Sequence, residues 1–201
     1  MKHQAKMPEV APPEHCPELY DGAEQLLEQA AQGHYQINPV REERLRQRIK
    51  DKFKVGAPLF EMRPTDLEEF LALKMSPEPN KSFVWVKSVP KLREDDRIHR
   101  MMALYNTDST LTRVALKSHL TQGFIPSQVF SLDHCAWLHH HEFRADEWML
   151  YENFTTIAGL PDFLAEGRAF IEGHLWTREG RLVCTTTQEC LVRSRDSKSS
   201  L

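Results

Sequence analysis

The sequence is poor in several features that would each point to a function class. No apolar run reaches the roughly 18 residues needed to cross a bilayer, and 27% of the chain is charged, so a soluble protein is expected. There is no basic surplus: 26 Lys and Arg stand against 29 Asp and Glu, a net charge of −3. That balance argues against a nucleic-acid binder, which presents a basic face. The opening residues, Met1 to Pro8, lack the apolar segment of a signal peptide, and the expectation is a chain that stays inside the cell. Cysteine is sparse as well. Cys16, Cys135, Cys184 and Cys190 are scattered with no Cys-x-x-Cys pair, which implies reduced, mostly buried thiols and no disulfide framework. There is no internal repeat, and 201 residues suit one domain or one domain with an extension.

The chain does have marked changes of texture. Residues 1–21 carry Pro8, Pro12, Pro13 and Pro17 among charges and read as an extended, Pro-rich linker. Residues 22–56 hold two helical patterns, Ala23 to Ala31 and the highly charged Arg41 to Phe53, both expected as surface helices. From there to residue 194 the pattern is mostly β. Leu59 to Arg63 and Ser82 to Ser88 read as strands, the second rich in β-formers. Met102 to Tyr105 is expected as a third strand, although Met101, Leu104, Tyr105 and Asp108 also fit helical spacing. A helix is expected next, capped by Thr107 or Asp108, burying Leu111, Val114 and Ala115 and ending before Gly123. Val129 to Leu138, Glu147 to Ile157, Leu164 to Thr177 and Arg181 to Arg193 then alternate as strands. Residues 195–201 read as a flexible tail. The fold class is α+β: an antiparallel sheet wrapped around one helix, preceded by a linker and surface helices.

Three polar residues stand in places where chemistry is possible. Asp108, at the expected helix entry, suits an N-cap, and a carboxylate held ionised there also suits a general base. Gln188 shares a strand face with Leu182, Cys184, Cys190 and Val192. A buried amide must be hydrogen-bonded, so it is either a satisfied core amide or a fixed donor aimed at a substrate or a water. Ser131 lies in mid-strand with no Gly-x-Ser-x-Gly elbow around it, which disfavours a covalent nucleophile. His134 and the run His139-His140-His141 raise a metal alternative, but no His-Glu-x-x-His or Cys/His zinc spacing accompanies them, and neighbouring strand residues point to opposite faces. A polar strand end is the preferred reading.

These residues lie within a wider pattern. Ser131-Leu132-Asp133-His134-Cys135-Ala136-Trp137, then Phe143-Arg144 with Trp148 and Tyr151, resembles the acyl-CoA thioesterase II (TesB-like) family. Tyr105-Asn106-Thr107-Asp108 followed by Ala115-Leu116, and Thr177 to Val183 followed by Gln188-Glu189, resemble it too. The likeness runs from about residue 3 to 193. It implies a hot-dog fold, matching the sheet-and-helix reading, and hydrolysis of fatty acyl-CoA to free fatty acid and coenzyme A. By motif it implies catalytic roles for Asp108, Ser131 and Gln188, which together would activate water, with no metal and no cofactor. The resemblance also points to His134, Trp137, Arg144 and, beyond that block, Arg168 as substrate-binding residues.

The resemblance also shapes the expectation for partners. In the family a first hot-dog precedes this segment, and Met1 falls where that half would be ending. A single hot-dog exposes the face its other half would cover, so a homodimer or pairing with another hot-dog chain is expected. A non-catalytic subunit that binds acyl-CoA is the alternative. Three local differences stand out: an extra residue and no proline in His139 to Phe143, a longer stretch over Glu152 to Gly167, and Ala169 in place of a glycine. Ser199-Ser200-Leu201 is similar to the terminal peroxisomal address, so the expected compartment is peroxisomal or cytoplasmic.

Overall fold

A computed structural model describes residues 3–54, 58–159 and 167–194. Among the described residues seven strands form one antiparallel sheet in the order β1-β2-β5-β6-β7-β3, with β4 also pairing β7. They are β1 (Phe60–Pro64), β2 (Lys81–Ser88), β3 (Pro126–Ser131), β4 (Cys135–Leu138), β5 (Met149–Ala158), β6 (Arg168–Thr177) and β7 (Leu182–Ser194). The helices are α1 (Leu19–Ala31), α2 (Pro39–Lys54), the single turn α3 (Leu67–Phe70), α4 (Asp96–Thr107) and α5 (Leu111–Thr121).

The sheet wraps around α5, the helix expected after Asp108. Its Leu111, Val114 and Ala115 are buried as the i, i+3, i+4 spacing predicts, together with Lys117. The Lys117 ammonium is matched by Glu69, Ser76 and the carbonyls of Glu78 and Lys81, so the buried charge is compensated. Strand residues Val84, Val86, Tyr151, Ile171, Leu175 and Cys184 complete this core. On the other face Trp85, Leu150, Trp176 and Cys16 form a second cluster, with Met7 and Val10 against it.

The Pro-rich segment expected as a linker lies along that second face, extended apart from a 3-10 turn at Pro13–His15. Trp85 Nε1 donates to the Ala11 carbonyl at 2.8 Å, and Arg63 Nη1 to the carbonyls of Pro13 (3.1 Å) and Cys16 (3.3 Å). Proline-fixed backbone leaves carbonyls without ladder partners, and these side chains supply them. Of the two expected surface helices, α1 starts at Leu19 and buries Leu19, Gly22, Ala23, Leu26 and Leu27, whereas α2 is mostly half-buried and buries Leu45 alone among its described side chains.

Two other expectations change. Met102 to Tyr105 is helical, the last part of α4, whose start is capped by Asp95 accepting from the Arg97 N–H at 2.9 Å. The helical spacing prevails because His99, Ala103, Asn106 and Thr107 form a buried stripe on one side of α4. Val129 to Leu138 is not one strand. It breaks at 132–134, and both pieces pair with β7. The break is held by β7, whose Glu189 carbonyl accepts from the Leu132 N–H at 2.8 Å while its N–H donates to Asp133 Oδ1 at 2.8 Å. The start of the strand expected from Leu164, the boundary near residue 57 and the tail 195–201 lie outside the described residues.

Candidate active site

The junction between α4 and α5 is pinned to β5 at both ends. Residues 151 and 153, two apart on one strand, point to the same face. Tyr151 Oη donates to the Thr107 carbonyl at 3.0 Å, and Asn153 Nδ2 donates to Thr110 Oγ1 at 2.9 Å. Asp108 and Ser109 are thus held between two anchored residues. Tyr151 is itself fixed by Thr186 Oγ1 at 2.8 Å. Since the phenol proton goes to Thr107, the threonine hydroxyl donates. Gly173 makes this packing possible: a Cβ there would lie 2.5 Å from Thr186 Oγ1 and 2.6 Å from Tyr151 Oη. Burial of the Tyr151 phenol raises its pKa, so it stays a neutral donor.

Asp108 therefore does not cap the start of α5. It is the C-cap of α4, with φ −79° and ψ −14°, and Thr110 takes the N-cap position of α5. Thr110 makes no side-chain cap bond of its own, its hydroxyl being committed to Asn153. The Asp108 carboxylate is 61% exposed, so it faces open space rather than the helix it was expected to cap.

Gln188 ties this junction to the sheet. It is fully buried on the β7 face that also carries Cys184, Thr186 and Cys190, and its Nε2 donates to Asp108 Oδ1 at 2.9 Å and to Ser131 Oγ at 2.5 Å. Both amide protons are then used, and the neighbouring carboxylate fixes which end of the amide faces it, because a flipped carbonyl would meet an anion. Gln188 Oε1 has no hydrogen-bond partner among the described residues. Ser131 Oγ, accepting from Gln188, keeps its own proton free to donate.

His134 joins the group from the break in the β3–β4 strand. In an unbroken strand residues 131 and 134 would face opposite ways. The interruption at 132–134 brings Ser131 and His134 to the same side, with His134 Nε2 3.0 Å from Thr107 Oγ1 and Nδ1 4.0 Å from Asp108 Oδ1. Thr107 Oγ1 also donates to the Leu104 carbonyl at 2.7 Å.

The remaining residues named from the sequence lie elsewhere. Trp137 is on β4 opposite Thr185, half exposed and three positions along β7 from Gln188. Arg168 forms an ion pair with Glu189 at 2.9 Å, next to Gln188 in sequence but tied to a carboxylate. Arg144 is not brought to this site. It binds Asp146 through two nitrogens at 2.9 and 3.0 Å and Glu94 at 2.7 Å, beside the start of α4. The 12 residues of α4 put that end about 18 Å from Asp108. The histidine run disperses: His139 Nε2 meets Thr185 Oγ1 at 2.8 Å, and His141 lies 3.6 Å from Glu142. Among the described residues no three His, Cys, Asp or Glu side chains gather as a metal site would require. Sequence reasoning missed Thr107, Tyr151, Asn153 and Thr186 as the supports of Asp108. The alternating β5 pattern held a signal, in a Tyr and an Asn on an otherwise core-facing side.

Residues 13–192 match the family model described as the acyl-CoA thioesterase C-terminal domain. The chain is 34% identical over 202 residues to acyl-coenzyme A thioesterase 8 of Rattus norvegicus, covering 97% of this chain and 55% of that protein. Among solved structures it is similar to acyl-CoA thioesterase II TesB2 of Mycobacterium marinum, with a TM-score of 0.65 and 27% identity over 98% of this chain and 59% of the other. A hot-dog-fold protein of unknown function from Alicyclobacillus acidocaldarius matches in fold, with a TM-score of 0.57 at 16% identity over 96% of this chain and 57% of the other. The chain spans about half the length of the curated relatives it matches. Its architecture is that of the hot-dog fold, and the chain belongs to the acyl-CoA thioesterase family, in the part that forms the family's C-terminal domain.

Proposed function

We propose that this chain hydrolyses fatty acyl-CoA to a free fatty acid and coenzyme A, with Asp108, Ser131 and Gln188 as the catalytic group. The observation that carries the reading is the convergence of these three residues, from the α4–α5 junction, β3 and β7, through one buried amide. Water attacks the thioester carbonyl carbon. As the C–O bond forms, a water proton passes to Asp108, and when the C–S bond breaks the thiolate of coenzyme A leaves and takes up that proton from Asp108, restoring the carboxylate. The Ser131 hydroxyl proton, directed away from Gln188, holds the water oxygen. Gln188 keeps Asp108 and Ser131 in fixed relation, a positioning gain of the kind that oriented reactants receive. Of the residues named for substrate binding, His134 stands next to this group, 4.0 Å from Asp108 Oδ1; Trp137 pairs with Thr185, on the other face of β7 from Gln188, Arg168 is tied to Glu189, and Arg144 lies at the opposite end of α4. No cofactor is invoked.

The test is thiol release from a panel of acyl-CoAs, with wild type beside Asp108→Asn. Turnover in the wild type that collapses in a folded variant supports the reading. A folded wild type without turnover on any acyl-CoA overturns it.

A second reading, a non-catalytic hot-dog that pairs with another chain, is favoured by one feature. Phe130, Leu132, Trp137 and Leu138, on and between β3 and β4, are 39–52% exposed and form an apolar edge beside the site. That edge suits a homodimer or another hot-dog chain. Light scattering on purified protein separates these: a dimer supports self-pairing, and a monomer that gains activity only with a second hot-dog chain supports the alternative. A peroxisomal or cytoplasmic setting completes the proposal and rests on the Ser199-Ser200-Leu201 similarity alone.

A further inference from the structure

The Thr107 hydroxyl has one proton, and the Leu104 carbonyl takes it at 2.7 Å. Towards His134 Nε2, 3.0 Å away, that oxygen acts as an acceptor. The hydrogen of a neutral imidazole must then sit on Nε2, leaving Nδ1 with a bare lone pair. Nδ1 faces Asp108 Oδ1 across 4.0 Å. That gap exceeds a direct hydrogen bond, yet it spans two acceptors that one water can serve. With hydrogen bonds of about 2.8 Å to each, the angle at the water is about 90°, near that of its own two O–H bonds.

We infer that His134 is a catalytic residue for the reaction proposed above, its Nδ1 accepting one proton of the attacking water in a hydrogen bond while Asp108 receives the other. The inference rests on the thioesterase reading for its consequence, not for its geometry. The water would donate to Asp108 and to His134, accept from Ser131, and have one lone pair left for the thioester carbon. All four tetrahedral directions of the water are then assigned, which fixes the attacking pair's direction. The proton that leaves the water goes to Asp108; His134 neither gains nor loses one. Thr107 acts through His134 and is a positioning residue: its hydroxyl selects the tautomer, and its carbonyl is held by Tyr151. The neighbouring Asp133 accepts the Glu189 N–H through Oδ1.

The test uses isosteres of the two ring nitrogens. The amide oxygen of Asn can take the place of Nδ1, and the amide of Gln reaches the place of Nε2. His134→Asn is expected to keep kcat within roughly 10-fold of wild type, whereas His134→Gln loses on the order of 100-fold in kcat with KM little changed. Thr107→Val is expected to lower kcat roughly 10-fold, and Thr107→Ser to restore it. A structural role through the Thr107 bond would invert the first pair, with Gln rescuing and Asn failing, and that result overturns the inference. So does wild-type turnover in both variants. A second readout is independent of turnover: two-bond proton–nitrogen NMR of the imidazole should show His134 protonated at Nε2 alone, with a mixture of tautomers in Thr107→Val. A hydrogen on Nδ1 overturns the inference even in an inactive protein, while an inactive wild type with the expected tautomer overturns only the thioesterase reading.

Discussion

Gln188 Nε2 lies 2.9 Å from Asp108 Oδ1, although eighty residues of chain separate them. The contact crosses from a fully buried strand position to a mostly exposed carboxylate, so one side chain belongs to the core and the other to solvent. Its energetic and catalytic parts are therefore separable by mutation.

Asp108→Asn keeps the shape, and its amide oxygen can still accept from Gln188, while the basic carboxylate is removed. Turnover is expected to fall by about 10²–10⁴-fold with the melting temperature unchanged within a degree or two. Thiol-release kinetics beside thermal unfolding of the same preparation checks both halves.

Gln188→Leu removes both donors from a position where Oε1 already has no partner among the described residues. Replacing an incompletely satisfied buried amide by an apolar side chain of similar size is nearly neutral for stability, within about 1 kcal/mol. Activity should nevertheless fall at least tenfold, because Asp108 and Ser131 lose their common anchor. A large drop in urea midpoint would show that the amide serves the fold instead.

Gly173→Ala should act in the opposite sense, on stability first. The added methyl would meet Thr186 Oγ1 and Tyr151 Oη at 2.5 and 2.6 Å, and the neighbours are themselves hydrogen-bonded. The expected cost is about 1–3 kcal/mol, or a melting temperature lower by roughly 2–10 °C. Tyr151→Phe, which leaves the Thr107 carbonyl without its donor, should give a loss in the same range. A melting temperature unchanged in both would show that this floor does not hold the junction.

Asp146 predicts an acid limb of stability. Burial would push its carboxyl up, but the Arg144 fork, the Leu92 N–H and the charges of Arg144 and His99 hold it below the ordinary value. A depressed pKa stabilises the fold above the unfolded value of about 4, and that contribution is lost as pH falls through the folded value. Asp146→Asn should therefore be less stable than wild type at pH 7, the difference shrinking below about pH 4. Denaturant titrations at several pH values measure it, and a gap that stays constant would rule out the linkage.

The four thiols should differ in reactivity. Cys16, Cys184 and Cys190 are buried, and burial pushes the last two thiols up to about 11, whereas Cys135 is exposed on β4. Thiolate is the reactive form, so an aromatic disulfide reagent should label one thiol rapidly in the native protein and four after denaturation. Cys135→Ser should abolish the fast phase.

Most of the fold was legible because its signals are local. The alternation in β2, β5 and β7 and the i, i+3, i+4 spacing of Leu111, Val114 and Ala115 each state which face is inward, and burial follows those faces. The α4 helix was misread for a physical reason: Met102 to Tyr105 satisfies both periods over so short a span, and only packing decides between them. Asp108 was given the wrong cap, because Thr107, Asp108 and Thr110 are all capping types and the backbone chose Thr110. The Pro-rich start was legible as extended chain, but not its seat on Trp85 and Trp176, which requires β2, β5 and β6 to be assembled first.

The sequence by itself determined the sheet-and-helix class and the core faces, and its resemblance nominated three polar residues for the candidate site. Only the tertiary structure decided that the break at 132–134 turns Ser131 and His134 to one side, that Tyr151 and Asn153 clamp the Asp108 junction, and that Arg144 works at the far end of α4. Hydrophobic period is written along the chain and can be read locally. Hydrogen bonds between residues 27 to 80 positions apart depend on register and on where a strand breaks, and those are fixed when the sheet closes around α5.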